Sequence, residues 1–148
     1  VDTGSLWHRA RTDSATRRFE DTEFDYDWGG YWYEVLASEN PGGYEAQSRS
    51  NKIYLIQPPL LHVPNAFTAN FDGSNEVWGI VPVFVKEYEL NIFNRWGERV
   101  FYTQNKKEQW HGYYRGKLEG NSVYIYTITY TGWDKSIHRV KGTVTILK

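Results

Sequence analysis

Val123-Tyr124-Ile125-Tyr126-Thr127-Ile128-Thr129-Tyr130 constrains this chain more than any other segment. Every residue in it is β-branched or aromatic, the types that fit a pleated, half-buried surface, and it is the strongest strand signal in the sequence. A second such signal, Tyr88-Glu89-Leu90-Asn91-Ile92-Phe93-Asn94, alternates cleanly at period two. Arg95-Trp96-Gly97-Glu98 reads as a tight turn, and Arg99-Val100-Phe101-Tyr102 as the returning partner of a hairpin. Trp133-Asp134-Lys135 turns the first segment into Ile137 to Leu147, which reads as two short strands or one bent at Gly142. Several short strands about 10 to 20 residues apart, without a helical period, predict an all-β fold, an immunoglobulin-like antiparallel β-sandwich.

Composition narrows the function classes. Strand-favouring aromatics are abundant, with 7 Trp, 12 Tyr and 7 Phe. Seventeen basic residues against eighteen acidic ones leave a net charge of −1, so no strong field draws nucleic acid or a membrane surface. Without cysteine there is no disulfide, thiolate metal site or cysteine nucleophile. No apolar run approaches the roughly 20 residues of a membrane-spanning helix. The sequence holds no methionine and opens on Val1-Asp2-Thr3, which reads as an internal or C-terminal piece of a longer protein.

Two parts are expected. In the first, residues 1–59, a polar start leads through the acidic run Glu20 to Asp27, read as a solvated loop, into the turn Trp28-Gly29-Gly30. Tyr31 to Ala37 and Ser50 to Ile56 read as strands around a loop at Asn40-Pro41-Gly42-Gly43. Gln57-Pro58-Pro59 ends the second, because proline cannot donate to a ladder. Two strands cannot bury a core alone, so this part is expected to be the closing portion of a second β-sandwich domain. Phe19-Glu20-Asp21-Thr22, Tyr31 to Ala37 and Ser50-Asn51 resemble the end of a fibronectin type III or related immunoglobulin-like module, in which a tyrosine near the start of the penultimate strand ties a corner. A generic β-hairpin is the alternative.

The second part, residues 60–148, carries a more specific resemblance. Val63-Pro64-Asn65-Ala66-Phe67-Thr68, Asp72-Gly73 with Asn75, Ile92-Phe93-Asn94-Arg95-Trp96-Gly97-Glu98, Val100-Phe101, Trp110 with Gly112, Val123-Tyr124-Ile125-Tyr126 and Lys141-Gly142-Thr143-Val144 stand in its order. In that order and spacing they are similar to the gliding-motility-associated C-terminal domain of Bacteroidetes surface proteins, the type B sorting signal of the type IX secretion system. Three loops depart from the family. Ala69-Asn70-Phe71-Asp72-Gly73 stands for its usual Pro-Asn-Gly-Asp-Gly, Asn75-Glu76 for Asn-Asp, and Trp110-His111-Gly112 for Trp-Asp-Gly. The resemblance implies a secretion and attachment signal, passed through the periplasm and outer membrane to the cell surface or medium. The implied partners are the type IX translocon and an outer-membrane β-barrel protein.

Recognition requires a folded, exposed surface, and a sandwich offers strand edges and loop ends. The candidate partner-binding residues are Asn94, Arg95, Trp96, Gly97 and Glu98 of the hairpin turn, and Lys141, Gly142, Thr143, Val144 and Ile146 of the last strand. For the turn, partner contact stands beside a plainer role in which Trp96 packs on the sheet and Arg95 caps carbonyls. Trp110 is expected in the core. Asn70, Asp72, Asn75 and Glu76 offer oxygens at calcium-like spacing around Gly73, but they are also ordinary turn residues, and the turn is the favoured reading.

Catalysis finds no support. His8, His62, His111 and His138 are scattered without a paired spacing, and the sequence has neither a Gly-x-Ser-x-Gly elbow nor a phosphate-binding glycine loop. No catalytic residue and no cofactor is assigned. A rival from another class is a carbohydrate- or surface-binding module, with Trp28, Trp32 and Trp133 as a stacking platform.

Overall fold

A computed structural model describes Ala15, Arg18 and residues 20–38 and 46–147. His8, Phe19 and the loop expected at Asn40-Pro41-Gly42-Gly43 lie outside the described residues. The described residues form strands and turns without a helix. The strands are β1 (Gly30–Tyr33), β2 (Leu36–Ser38), β3 (Gln47–Arg49), β4 (Ile53–Ile56), β5 (Leu60–His62), β6 (Ala66–Thr68) and β7 (Val81–Val83). There follow β8 (Val85–Phe93), β9 (Arg99–Thr103), β10 (Tyr113–Tyr114), β11 (Lys117–Leu118), β12 (Ser122–Gly132) and β13 (Ile137–Leu147).

The main layer is a five-stranded sheet in the order β6-β13-β12-β8-β9. The segment of greatest strand propensity, β12, lies at its centre, paired antiparallel with β13 and with β8. Period-two alternation puts Tyr124, Tyr126, Ile128 and Tyr130 on one face, level with Leu90 and Ile92 of β8 and Val144 and Ile146 of β13. Burying an aliphatic side chain such as Ile92 or Ile146 stabilises by about 1.5–3 kcal/mol. One pair departs from the antiparallel expectation: β6 runs parallel to β13 through Thr145↔Ala66 and Leu147↔Thr68. Most of the domain separates these two strands in sequence, so no hairpin fixes their direction.

The second layer of the sandwich is built from short pieces. It comprises the β5·β7 and β10·β11 pairs and a single bridge between Trp78 and Trp110, whose backbones exchange hydrogen bonds of 2.8 and 2.9 Å. Both indoles are 1% exposed. Trp78 lies 5.2 Å from Tyr126 and Trp110 4.9 Å edge-on from Tyr124, so the bridged pair packs on two successive inward residues of β12. The Trp78 indole N–H donates to the Pro64 carbonyl (2.7 Å), which provides the partner a buried indole requires. Trp110 is in the core, as its sequence context predicts.

β13 is one continuous strand of eleven residues without a bend at Gly142. The glycine is needed for a different reason. It pairs with Tyr126, and a Cβ there would meet the phenol oxygen at 2.2 Å.

Before β5, β1 pairs with β4 and β2 with β3, so four short strands form an antiparallel ribbon broken at Glu34-Val35. Trp32, Leu36, Ile53, Leu55 and Ile56 on it are exposed. The Tyr31 hydroxyl reaches back to the carbonyls of Asp25 (2.9 Å) and Trp28 (2.8 Å), the kind of tie a tyrosine corner makes. The Tyr33 hydroxyl lies 3.1 Å from an Asp21 oxygen, and burial plus that carboxylate raise its pKa to about 12.

The acidic run is more than a solvated loop. Glu20, Glu23 and Asp25 are exposed, yet the aromatic residues of the run pack on the sandwich. Phe24 and Tyr26 lie 6.3 and 6.2 Å from Phe84, and Trp28 stacks on Trp133 at 4.3 Å. The Phe84 N–H donates to the Tyr26 carbonyl (2.7 Å), and Lys106 joins Asp27 (3.1 Å) to the Val85 carbonyl (2.8 Å). Alternating acid and aromatic residues carry a strand-like period, the sequence signal that could have revealed this contact.

Candidate functional site

The β8–β9 turn is built by one side chain. Asn94 is 6% exposed, and its Oδ1 accepts the N–H groups of Trp96 (3.1 Å) and Glu98 (2.9 Å) while its Nδ2 donates to Glu98 Oε2 (3.2 Å). Its backbone exchanges bonds with Gly97 and Glu98, each 3.0 Å. Gly97 has φ +79° with no atom near its missing Cβ, so glycine serves the left-handed conformation that closes the hairpin. Asparagine suits this place because it supplies both an acceptor and a donor.

Glu98 links that turn to a second one. Its Oε1 accepts from the Tyr114 hydroxyl (2.5 Å) and from Arg115 Nη2 (2.9 Å). The Tyr114 hydrogen bond, aided by Arg115 and Asn94, holds the Glu98 carboxyl below the usual carboxylate range, and the same bond raises the Tyr114 phenol. Arg115 and Gly116, the two residues between β10 and β11, have φ of +50° and +75°, as a tight two-residue hairpin turn demands. A non-glycine residue resists that conformation, and here Arg115 is held by Glu98 and by the Tyr114 ring 5.0 Å from its guanidinium.

This locked end presents Arg95 and Trp96. Trp96 is 75% exposed, and Arg95 lies 4.7 Å over its ring. The plainer role is therefore not what the fold uses: Trp96 does not pack on the sheet, and the Arg95 guanidinium stacks on its neighbour. Arg99 lies 4.9 Å over Tyr102 and donates to Asn91 Oδ1 (3.2 Å), so three arginine–aromatic pairs gather about the turn. Sequence reasoning missed Tyr114 and Arg115, which sit 16 and 17 residues from Glu98 in an otherwise ordinary turn.

Asn94→Ala is expected to leave the N–H groups of residues 96 and 98 without their acceptor and to cost about 1–3 kcal/mol. Chemical denaturation of the variant checks this, and faster amide exchange at those two N–H groups should accompany the loss.

The last-strand candidates fall into two kinds. Lys141 and Thr143 are exposed on the sheet's outer face, whereas Val144 and Ile146 are fully buried and Gly142 faces Tyr126. Thr143 pairs with Ile125, which pairs with Phe93. That row brings the C-terminal half of β13 to the same end of the sheet as the Asn94–Glu98 turn, one strand away.

In the loop of calcium-like spacing, the oxygens accept from the loop's own donors. Asp72 takes Asn70 Nδ2 (2.8 Å) and Ser74 N–H (2.8 Å), and these two bonds, that from Asn70 most, hold its carboxyl low. Glu76 Oε1 takes Gly73 N–H (3.2 Å). No group of three or more His, Asp or Glu among the described residues is placed to hold a metal.

Asp134, Ser136 and His138 form a cluster, but in an order unlike a nucleophile relay. Ser136 Oγ bonds Asp134 (2.6 Å) and lies 2.7 Å from His138 Nε2. The carboxylate bonds the serine itself and not the imidazole, whereas a relay places it behind the histidine to orient the base. The three tryptophans of the sugar-binding alternative are not one platform either. Trp28 and Trp133 cover each other, and Trp32 packs on Tyr54 at 4.8 Å on the ribbon.

No helix among the described residues is long and apolar enough to cross a membrane. Residues 61–146 match the family model of the CHU_C type IX secretion signal domain. No curated protein matches the chain.

Proposed function

The chain belongs to the CHU_C type IX secretion signal domain family, and on that premise we propose that it is the sorting signal of a Bacteroidetes cell-surface or secreted protein. The cargo in this reading is carried through the periplasm and across the outer membrane by the type IX translocon with an outer-membrane β-barrel partner. A gliding-motility adhesin is the cargo class that the family resemblance favours. Residues 60–148 carry the signal, and residues 1–59 are the end of an immunoglobulin- or fibronectin-like module of the cargo.

The observation that supports a docking role is the contrast within one turn. Asn94 is buried and fully engaged, while Trp96, two residues on, is 75% exposed beneath a guanidinium. Exposing an indole forgoes its burial energy, and arginine and tryptophan are the residue types that most often anchor interfaces. The rest of the site holds this pair in place.

Residues 20–148 fused to a periplasmic reporter, in a bacterium with a type IX system, should carry the reporter to the cell surface. Arg95→Ala with Trp96→Ala should lower the surface signal by about tenfold or more, the loss expected when anchors worth at least ~1.4 kcal/mol are removed. The melting temperature should hardly move, because exposed side chains contribute only about 0.5 kcal/mol to stability. Retention of the wild-type fusion in the periplasm would rule the reading out.

A further inference from the structure

Among the described residues, the sheet leaves a long edge of β13 uncovered. β13 pairs with β12 from Ile137 to Ile146, but on its other side β6 covers only Thr145 to Leu147. The Thr145 N–H donates to the Asn65 carbonyl (2.9 Å) and the Leu147 carbonyl accepts from Ala69 N–H (2.9 Å), so odd-numbered residues turn their backbone groups away from β12. By strand alternation Ile137, Arg139, Lys141 and Thr143 do the same. Among the described residues nothing pairs with that row.

The side chains along the row specify what could. Arg139 and Lys141 are exposed on the outer face, flanked by exposed Ile137 and Thr143, while His138, Val140 and Gly142 on the inner face are half-buried. Val140 packs against the core cluster. A strand laid beside this edge meets two positive charges on one face and an apolar, half-open margin on the other. A second copy fits poorly, since antiparallel pairing about Val140 sets Arg139 against Lys141 and like charges directly opposite repel.

We propose that the β13 edge accepts an extended strand of a partner polypeptide whose residues alternate between acidic and apolar, adding a sixth strand beside Ile137–Thr143. This deepens the sorting reading and rests on it, since it gives the machinery a mode of capture: main-chain bonds for affinity, and acidic side chains on Arg139 and Lys141 for selectivity.

The probe is a synthetic eight-residue peptide of alternating Glu and Val, offered to the full 148-residue chain and followed by amide exchange in NMR. The N–H groups of residues 137, 139, 141 and 143 should slow by about fivefold or more at saturating peptide, with little change at residues 138, 140 and 142, whose N–H groups already face β12. Arg139→Glu with Lys141→Glu leaves the backbone and core untouched; it should abolish protection by the Glu peptide and confer it on a Lys–Val peptide. Absence of protection in the wild-type chain, or equal protection in the reversed variant, overturns the proposal.

Export separates this from the broader reading. If the wild-type fusion reaches the surface and the folded, charge-reversed fusion does so equally well, the sorting function stands and the edge is not what the machinery reads. If the charge-reversed fusion alone stays in the periplasm, the edge is supported as the capture surface.

Discussion

Trp110→Ala is expected to lose about 3–5 kcal/mol, a large share of the roughly 5–15 kcal/mol that holds a native domain together. The indole is 1% exposed and touches Phe67, Phe101 and Tyr124, three rings from different strands. It also sits in the two-residue bridge to Trp78 that stands for a strand in the second layer. The sheet cannot collapse into the space, because its strands are fixed by their own ladders, so the cavity persists. The melting temperature should fall by roughly 15 °C or more, since each kcal/mol shifts a domain of this size by about 4–8 °C. Circular dichroism against temperature checks it. Trp96→Ala, the same change on an exposed indole, is the internal comparison and should shift the transition little.

Gly142→Ala is the second large effect, at about 1–3 kcal/mol. A single methyl would meet the Tyr126 ring at 2.2 to 3.0 Å, and that ring is pinned 5.2 Å from Trp78. Either the tyrosine leaves its place or β13 lifts from β12. Urea denaturation should show a lower midpoint at unchanged slope, and an unaltered midpoint would show that Tyr126 has room the packing denies. The contact gives Gly142 a packing constraint of its own, set by the Tyr126 phenol.

The sheet was legible because its strands obey local rules. Val123 to Tyr130, Tyr88 to Asn94 and Arg99 to Tyr102 fall within β12, β8 and β9, apart from Asn94 just after β8, and alternation alone selects their buried faces. Less was legible where pairing is short or remote. β3 is three exposed residues with no apolar period, and the break at Glu34-Val35 leaves two short strands where Tyr31 to Ala37 was expected to be one. The parallel β6–β13 pair depends on contacts 79 residues apart, such as Thr145↔Ala66, which no local pattern encodes. The Asn94–Glu98 turn could be read from its residues, but its link to Tyr114 and Arg115 could not, since two turns meet only when the sheet folds. Val144 and Ile146 show the opposite case: they belong to a distinctive motif, yet the alternation that defines the strand already places them inward.

The aromatic strap at residues 24–28 bears on how this signal can be moved between proteins. Phe84 and Trp133 belong to the sorting domain, and part of their cover comes from Phe24, Tyr26 and Trp28, about 30 residues before β5. A junction at Pro59 would strip those rings away and uncover a sticky patch on the graft; a junction ahead of residue 20 keeps the seal. A graft that begins ahead of residue 20 is longer than the family match at residues 61–146 and carries its own gasket.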